Sequence, residues 1–445
     1  MRQRIAVKPA CRISGEEAAS FVRSGMWIDY GAILCQPDVF DAALARRVDG
    51  LRGVKIRSCL SVRPRAVLEA DTKGEHFFWV SLHFSGYDRK KHDAGLAHYL
   101  PVNLGEIPDY YRRFIDPVDI AIIKTCPLDE DGFFNLSGGN LWHRAVVERA
   151  RTVVVEESAG LPYAMGEQTG IHISEVDYII PGDNSPAPEL PNPPPTKVDR
   201  AVARLITNEI EDGSCLQIGI GGMPNAVCAL LCEESGVQDL GVHSEMLTDG
   251  IVDLYRAGRI TAASKRLNPR KIVATFALGS AYLYKALDRN PDISFHPVDY
   301  TNMPHIIMQN DRVVSINNTT QIDLQGQASS ESEGHRHISG TGGQLQFVRG
   351  AYASKGGKSF MCLASTYEKR GERKSRIVLG LCEGTIVTTP RSDIMYVVTE
   401  YGVVNLKGKS VAERAKALIS IAHPDFREQL EREAHDSRLI PRGFF

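Results

Sequence analysis

The sequence predicts an α/β protein made of two similar open domains with mostly parallel sheets. Three observations predict it. Short β-branched runs alternate with helical stretches. A proline-rich seam divides the chain. Three pairs of motifs recur in the same order on the two sides of that seam.

The alternation is carried by "DIAIIKTC" (119–126), "TVVVEES" (152–158), "RVVSINN" (312–318), "RIVLGL" (376–381) and "IMYVVTEYG" (394–402). Strands separated by helices favour parallel sheets with helices on their faces. Such folds bind ligands beyond the carboxyl ends of the strands. A cleft between related halves is the other favoured place, and the active site is expected there.

The seam is "PGDNSPAPELPNPPPTKVD", 181–199, with seven prolines. Proline fixes φ and removes a hydrogen-bond donor, so the stretch reads as a stiff, extended and exposed linker. The expected organisation is a first domain at 1–185, a linker at 186–199 and a second domain at 200–445. A chain of 445 residues suits two cores of this size.

The first repeated pair is "SGMWIDYGAILCQPDVFDAAL" (24–44) and "DGSCLQIGIGGMPNAVCALL" (212–231). Each reads as glycine, short strand, second glycine, then a proline opening a helix: Gly25, Gly31 and Pro37 on one side, Gly213, Gly219 and Pro224 on the other. Proline suits a first helical turn, where its missing N–H had no partner. The second pair is "LPVNLGEIP" (100–108) and "HPVDYTNMP" (296–304). The third is "DEDGFFNLS" (129–137) and "DLQGQASS" (323–330). Three pairs in order imply a duplicated unit.

Composition narrows the function. With 43% hydrophobic and 24% charged residues, the chain reads as globular. A net charge of −2 lacks the basic excess of a general nucleic-acid binder. The first twenty residues show no apolar core of signal-peptide length, and no apolar run is long enough for a membrane span. Nine cysteines without a CxxC pair fit a reducing compartment, so a cytoplasmic location is expected. Cys228 and Cys232 read as small apolar residues on one helix. His335 and His337 lack further ligands at metal-binding spacing, so no metal is expected.

Two glycine loops can hold an anion. "QIGIGGMPNAV" (217–227) is strand, turn and helix start, so Gly219, Ile220, Gly221, Gly222, Met223 and Pro224 form a cradle at a helix N-terminus. It lacks the third glycine of a dinucleotide fingerprint, with Pro224 in its place, although Glu245 falls near the ribose-acid position. An NAD-dependent oxidoreductase is therefore the distant alternative. "SGTGG" (339–343) supplies the second loop, with Gly342, Gly343 and the amide of Gln344 as donors. "GGKS" (356–359) is no phosphate loop, because position 352 is Tyr.

Together, "GIGGMPNAV", "GVHSEMLTDG", "SINNTTQIDLQGQ", "SGTGGQLQFVRGA", "TTPRSDIMYVVTEYGVVNL" and "LISIAHPDFREQL" resemble the acetyl-CoA hydrolase/transferase family, class I CoA-transferases. Within it the likeness is to the butyryl-CoA:acetate and 4-hydroxybutyrate CoA-transferases. It covers nearly the whole chain and is densest from about 200 to 440. The resemblance implies a CoA-transferase fold and a glutamate nucleophile, matching Glu245. It implies CoA transfer between a short-chain acyl-CoA and acetate or another small acid, with CoA as substrate rather than a resident cofactor. A homodimer or higher homo-oligomer is also implied. Hydrolysis on the same scaffold, or an itaconate- or succinate-type transfer, stays open. The chain departs from the family at "INNTTQID" (316–323) and at "LASTY" (363–367), which touch the acyl pocket and the pantetheine path.

The chemistry suits these residues. A carboxylate nucleophile keeps the acyl group activated at every stage. Each tetrahedral oxyanion needs placed donors. Gly219–Gly222, Gly342 and Gly343 offer backbone N–H groups, and Asn317 and Gln344 offer amides. His243, two residues before Glu245, shares its face if the strand continues. Glu400 matches a family motif and is expected to orient the site. Ser365 and Thr366 lie near the family's second CoA contact. Glu156 and Glu157 read as helix-entry or surface charges, and Lys355 and Lys358 as solvated ones.

Overall fold

The computed structural model describes residues 10–191 and 193–441. The signal-peptide reading rests on residues 1–20, of which 1–9 lie outside the described residues. The chain forms two compact units, and neither is one continuous segment. The first comprises residues 1–191, 245–247 and 273–301; the second comprises 192–244, 248–272 and 302–445. The units follow packing rather than a single cut at the prolines.

The first unit holds an all-parallel sheet of eight strands. Their order is Cys11–Arg12, Tyr178–Pro181, Thr152–Glu157, Ile120–Thr125, Trp27–Tyr30, Val54–Ser58, Phe77–Ser81 and Ala97–Tyr99. The central strand Ile120–Thr125 is buried at every position, as a strand covered on both faces should be. Ile28, Phe40, Val54, Ile56 and Trp79 fill the core beneath it.

In the second unit six strands run in the order Gly241–His243, Cys215–Ile218, Val313–Asn318, Lys358–Cys362, Tyr396–Thr399 and Gly402–Asn405. The described pairings are parallel except the last, which is an antiparallel hairpin. Taken in chain order, the second-unit strands repeat the neighbour relations of Val54–Ser58, Trp27–Tyr30, Ile120–Thr125, Thr152–Glu157 and Tyr178–Pro181. The duplication is therefore present in the topology. All five β-branched runs quoted above contain strands.

The repeated motifs also match in detail. The Gly31 N–H donates to the Ile122 carbonyl at 2.9 Å, and the Gly219 N–H to the Ile316 carbonyl at 3.2 Å. The Asp129 carboxylate accepts the N–H groups of Asp131 and Phe133. The Asp323 carboxylate accepts those of Gln325 and Gln327 in the same way. Each turn closes at a glycine with positive φ, +84° at Gly132 and +95° at Gly326. Only glycine enters that region without strain, which explains the spacing.

Among its described residues the proline-rich stretch forms no helix or strand before residue 197 apart from Pro181, but its first half is tied down. The Pro188 carbonyl accepts the Tyr284 hydroxyl at 2.6 Å, and the Leu190 N–H donates to Gly279. Arg63 donates to the Ser185 hydroxyl and the Pro186 carbonyl. Thr196 then caps the helix Lys197–Thr207 through a reciprocal pair with Asp199.

Candidate active site

Glu245 lies in the first unit, half-buried, at a bend. The strand Gly241–His243 ends before it, and Met246–Leu247 pairs in parallel with Phe276–Ala277 after it. The carbonyl of Glu245 accepts N–H groups from Thr275 at 3.0 Å and Phe276 at 3.2 Å. Gly138 and Gly139 back that pair. The Gly138 carbonyl takes the Ala277 N–H, and a Cβ on Gly138 would stand 2.9 Å from the Ala277 Cβ. The backbone of Glu245 is thus clamped. Burial, then the charges of Asp88 and Glu245, push the Cys59 thiol well above its ordinary range.

His243 does not share this setting. It is fully buried on its strand, and the bend at 244–245 breaks the alternation that would have put both side chains on one face.

The loop after the strand Trp27–Tyr30 is the first unit's counterpart of the glycine cradle. His143 holds it by accepting the Ala32 N–H at 3.0 Å on Nε2 while Nδ1 faces the Asn140 carbonyl. Burial lowers His143 to about 4, so the ring is neutral at ordinary pH. Nearby is a small recess lined by Ile33, Leu34, Gln36, Arg63 and Lys124, among others. Its cations are already engaged. Asp38 accepts from Arg63, Arg65 and Lys124 at 3.0, 2.9 and 2.7 Å. Burial pushes the Asp38 carboxyl up, but Arg65, Lys124 and Arg63 outweigh it and hold it low. Glu156 is buried and accepts the N–H groups of Asp38, Val39 and Phe40, so it is a helix-entry charge and not a surface one. Glu157 pairs with Arg12.

In the second unit the two glycine loops meet at a residue the motifs did not single out. The Asn318 amide donates to the Ile220 carbonyl at 3.4 Å, and the Asn318 carbonyl accepts from the Gln344 amide at 2.8 Å. Gly221 has φ +119° and caps the twelve-residue helix Gly222–Glu233, with Met223 and Pro224 buried in its first turn. Ile220 stands out at 52% exposed. The fit is tight: a Cβ on Gly222 would sit 2.6 Å from an Asp199 oxygen. Gly342 has φ +57°, and Gly343 caps the helix Gln344–Ala353. Both helices present N-terminal N–H groups, the arrangement that favours anions.

The side-chain donors are more committed than expected. The Asn317 amide donates to Gln217 at 3.0 Å and to Ser315 at 2.8 Å, so it is already engaged. Gln217 and Ser315 are paired across adjacent strands, and only the strand register reveals that network. The Gln344 oxygen accepts from Ser330 and Thr389. Buried Glu331 accepts from Thr341 and Thr388, bracing the second loop from behind. Glu400 does orient a loop: it accepts the Ser365 N–H at 2.9 Å and the Ser365 hydroxyl at 2.5 Å. Thr366 begins the hairpin that follows. Lys358 is not a free charge, because it pairs with Glu209 and Glu211. Cys228 is buried and Cys232 partly so, on one helix. No group of three or more potential metal ligands occurs among the described residues, and no described helix is long and apolar enough to cross a membrane.

Comparison with known proteins fits this geometry. The acetyl-CoA hydrolase/transferase N-terminal domain matches residues 6–191, and the C-terminal domain of the same name matches 279–434. A butyryl-CoA:acetate CoA-transferase from Anaerostipes caccae is 44% identical over 97% of both chains. A 4-hydroxybutyrate coenzyme A transferase from Clostridium kluyveri is 38% identical over 95% of this chain and 96% of its own. RipA from Yersinia pestis superposes with a TM-score of 0.88 at 36% identity, covering 97% of this chain and 98% of its own. Fold and relatives define an enzyme of the CoA-transferase class. More narrowly, the chain belongs to the acetyl-CoA hydrolase/transferase family.

Proposed function

We propose that this enzyme moves CoA between a short-chain acyl-CoA, of the butyryl or 4-hydroxybutyryl type, and acetate or another small acid. The observation that carries the reading is Glu245: a half-buried glutamate on a clamped backbone, within the segment whose sequence resembles the family's nucleophile motif. The Glu245 carboxylate attacks the thioester carbonyl. The C–S bond breaks, CoA leaves as thiolate, and a mixed anhydride remains. The thiolate then attacks the glutamyl carbonyl, the C–O bond breaks, and the first acid departs. A glutamyl-CoA thioester remains, and the second acid reverses the sequence. Each tetrahedral oxyanion on this route needs a placed hydrogen-bond donor, and removing one such donor costs about 3–4 kcal/mol in known cases. CoA is substrate throughout.

The test is incubation with butyryl-CoA and no acceptor acid, followed by peptide mass spectrometry. The peptide holding Glu245 should gain the mass of CoA less water, and E245Q should not. An unmodified peptide in an enzyme that turns over with acetate refutes the covalent route. Equal release of free CoA with and without acetate assigns hydrolysis instead.

A further inference from the structure

We propose that the hairpin Thr366–Ser375 and the adjoining Arg376 grip the 3′-phosphate and diphosphate of the CoA nucleotide; this rests on the reading of the chain as a CoA-transferase. Residues 366–376 carry five cations, Lys369, Arg370, Arg373, Lys374 and Arg376, against Glu368 and Glu372, in a chain whose net charge is −2. The hairpin register sorts them. Tyr367 lies opposite Lys374, and Lys369 opposite Glu372. Alternate residues share a face, so Tyr367, Lys369, Glu372 and Lys374 form one side. Arg376 joins that side, with its guanidinium 4.8 Å from the centre of the Tyr367 ring. Three cations thus share a face with one aromatic ring. A ring to stack on and donors for phosphate oxygens are what an adenosine bisphosphate requires.

Arg376 is the second observation. It is partly buried, donates to the Thr320 carbonyl at 2.8 Å, and no carboxylate lies within ion-pair distance of it among the described residues. Buried cations are ordinarily paired. Desolvation lowers its pKa, with only the charges of Tyr367 and Glu333 opposing. The other two cations of this face hold exposed partners: Lys369 with Glu333, and Lys374 with Glu372. Exposed pairs of that kind contribute little, so a phosphate exchanges for them readily. Arg373 points to the opposite side, to Asp425, and offers a control of equal charge. The hairpin also grows directly from Ser365, which Glu400 fastens.

The experiment compares butyryl-CoA with butyryl-pantetheine as donors, and measures binding of adenosine 3′,5′-bisphosphate by calorimetry. In K374E and R376Q the preference for the full CoA donor, as a ratio of kcat/KM values, should fall at least tenfold, and bisphosphate affinity should fall with it. R373E should keep both. A preference unchanged in K374E and R376Q, or an equal loss in R373E, overturns the proposal. If the parent enzyme transfers CoA to no acid, the reaction reading fails by itself, and bisphosphate binding still decides the hairpin's role.

Discussion

Removing the Glu400 carboxylate should loosen one loop and leave the rest of the second unit folded. Its two oxygens take the N–H and the hydroxyl of Ser365, a residue with no exposed surface. In Glu400→Ala both donors lose their acceptor inside the protein. Each buried orphan costs about 1–3 kcal/mol, and the serine hydroxyl can rotate, so a loss of about 3 kcal/mol is expected. For a unit of roughly 200 residues that is about 6–12 °C in Tm. Glu400→Gln keeps one oxygen for the Ser365 N–H, and its amide can donate to the serine oxygen, so it should lose less than half as much. Thermal unfolding followed by circular dichroism reads the first effect. Steady-state kinetics reads the second, a rise in KM for acyl-CoA larger than the fall in kcat, because the loop leads into the hairpin at Thr366. A Glu400→Ala enzyme with Tm within about 1 °C of the parent and an unaltered KM would show that Glu400 does not hold this loop.

Two further predictions concern pH. Burial lowers Lys265 from its ordinary 10.5 to about 8, while its ammonium donates to the Val242 and Lys271 carbonyls. Between those values the unfolded chain binds the proton and the folded one does not. Stability should therefore rise by up to about 3 kcal/mol as pH climbs from 8 towards 10.5. Urea midpoints of Lys265→Met should show that rise removed, and an unchanged slope would count against the assignment. His143 runs the other way along the scale. Its folded value near 4 lies below the ordinary 6.5, so the unfolded chain takes up a proton first on acidification. Stability should fall by about 3 kcal/mol between pH 6.5 and 4, and His143→Gln should flatten that decline. Equal acid sensitivity in both proteins would refute it.

What could be read from the sequence followed from backbone demands. Gly132 and Gly326 were legible as a repeated turn because a positive φ there requires glycine, and Asp129 and Asp323 leave their mark three residues before. Gly31 and Gly219 were legible for a related reason, each closing a strand before a loop. The β-branched runs announced the strands. Hydrogen bonds between side chains far apart in sequence left no such mark. Gln217 and Asn317 are separated by a hundred positions. So are Asn318 and the first glycine loop, nearly so. Their meeting depends on strand register, which periodicity does not encode. The bend at Glu245, which ends the strand that carries His243, has no compositional signature there. Glu156 looked like an ordinary strand-end charge, and its burial under three backbone N–H groups became visible only with the helix Val39–Ala45 in place.

The route of the chain through the two units has a consequence for synthesis on the ribosome. Residues 245–247 and 273–301 belong to the first unit, yet they are translated after a long stretch of the second. The first unit cannot be complete until residue 301 has emerged. A fragment ending at residue 191 would lack the paired segments Met246–Leu247 and Phe276–Ala277, and with them the clamp on Glu245. The nascent chain must therefore keep an unfinished first unit soluble while more than fifty residues of the second accumulate behind it. A gene split at the prolines would leave that unit without Glu245.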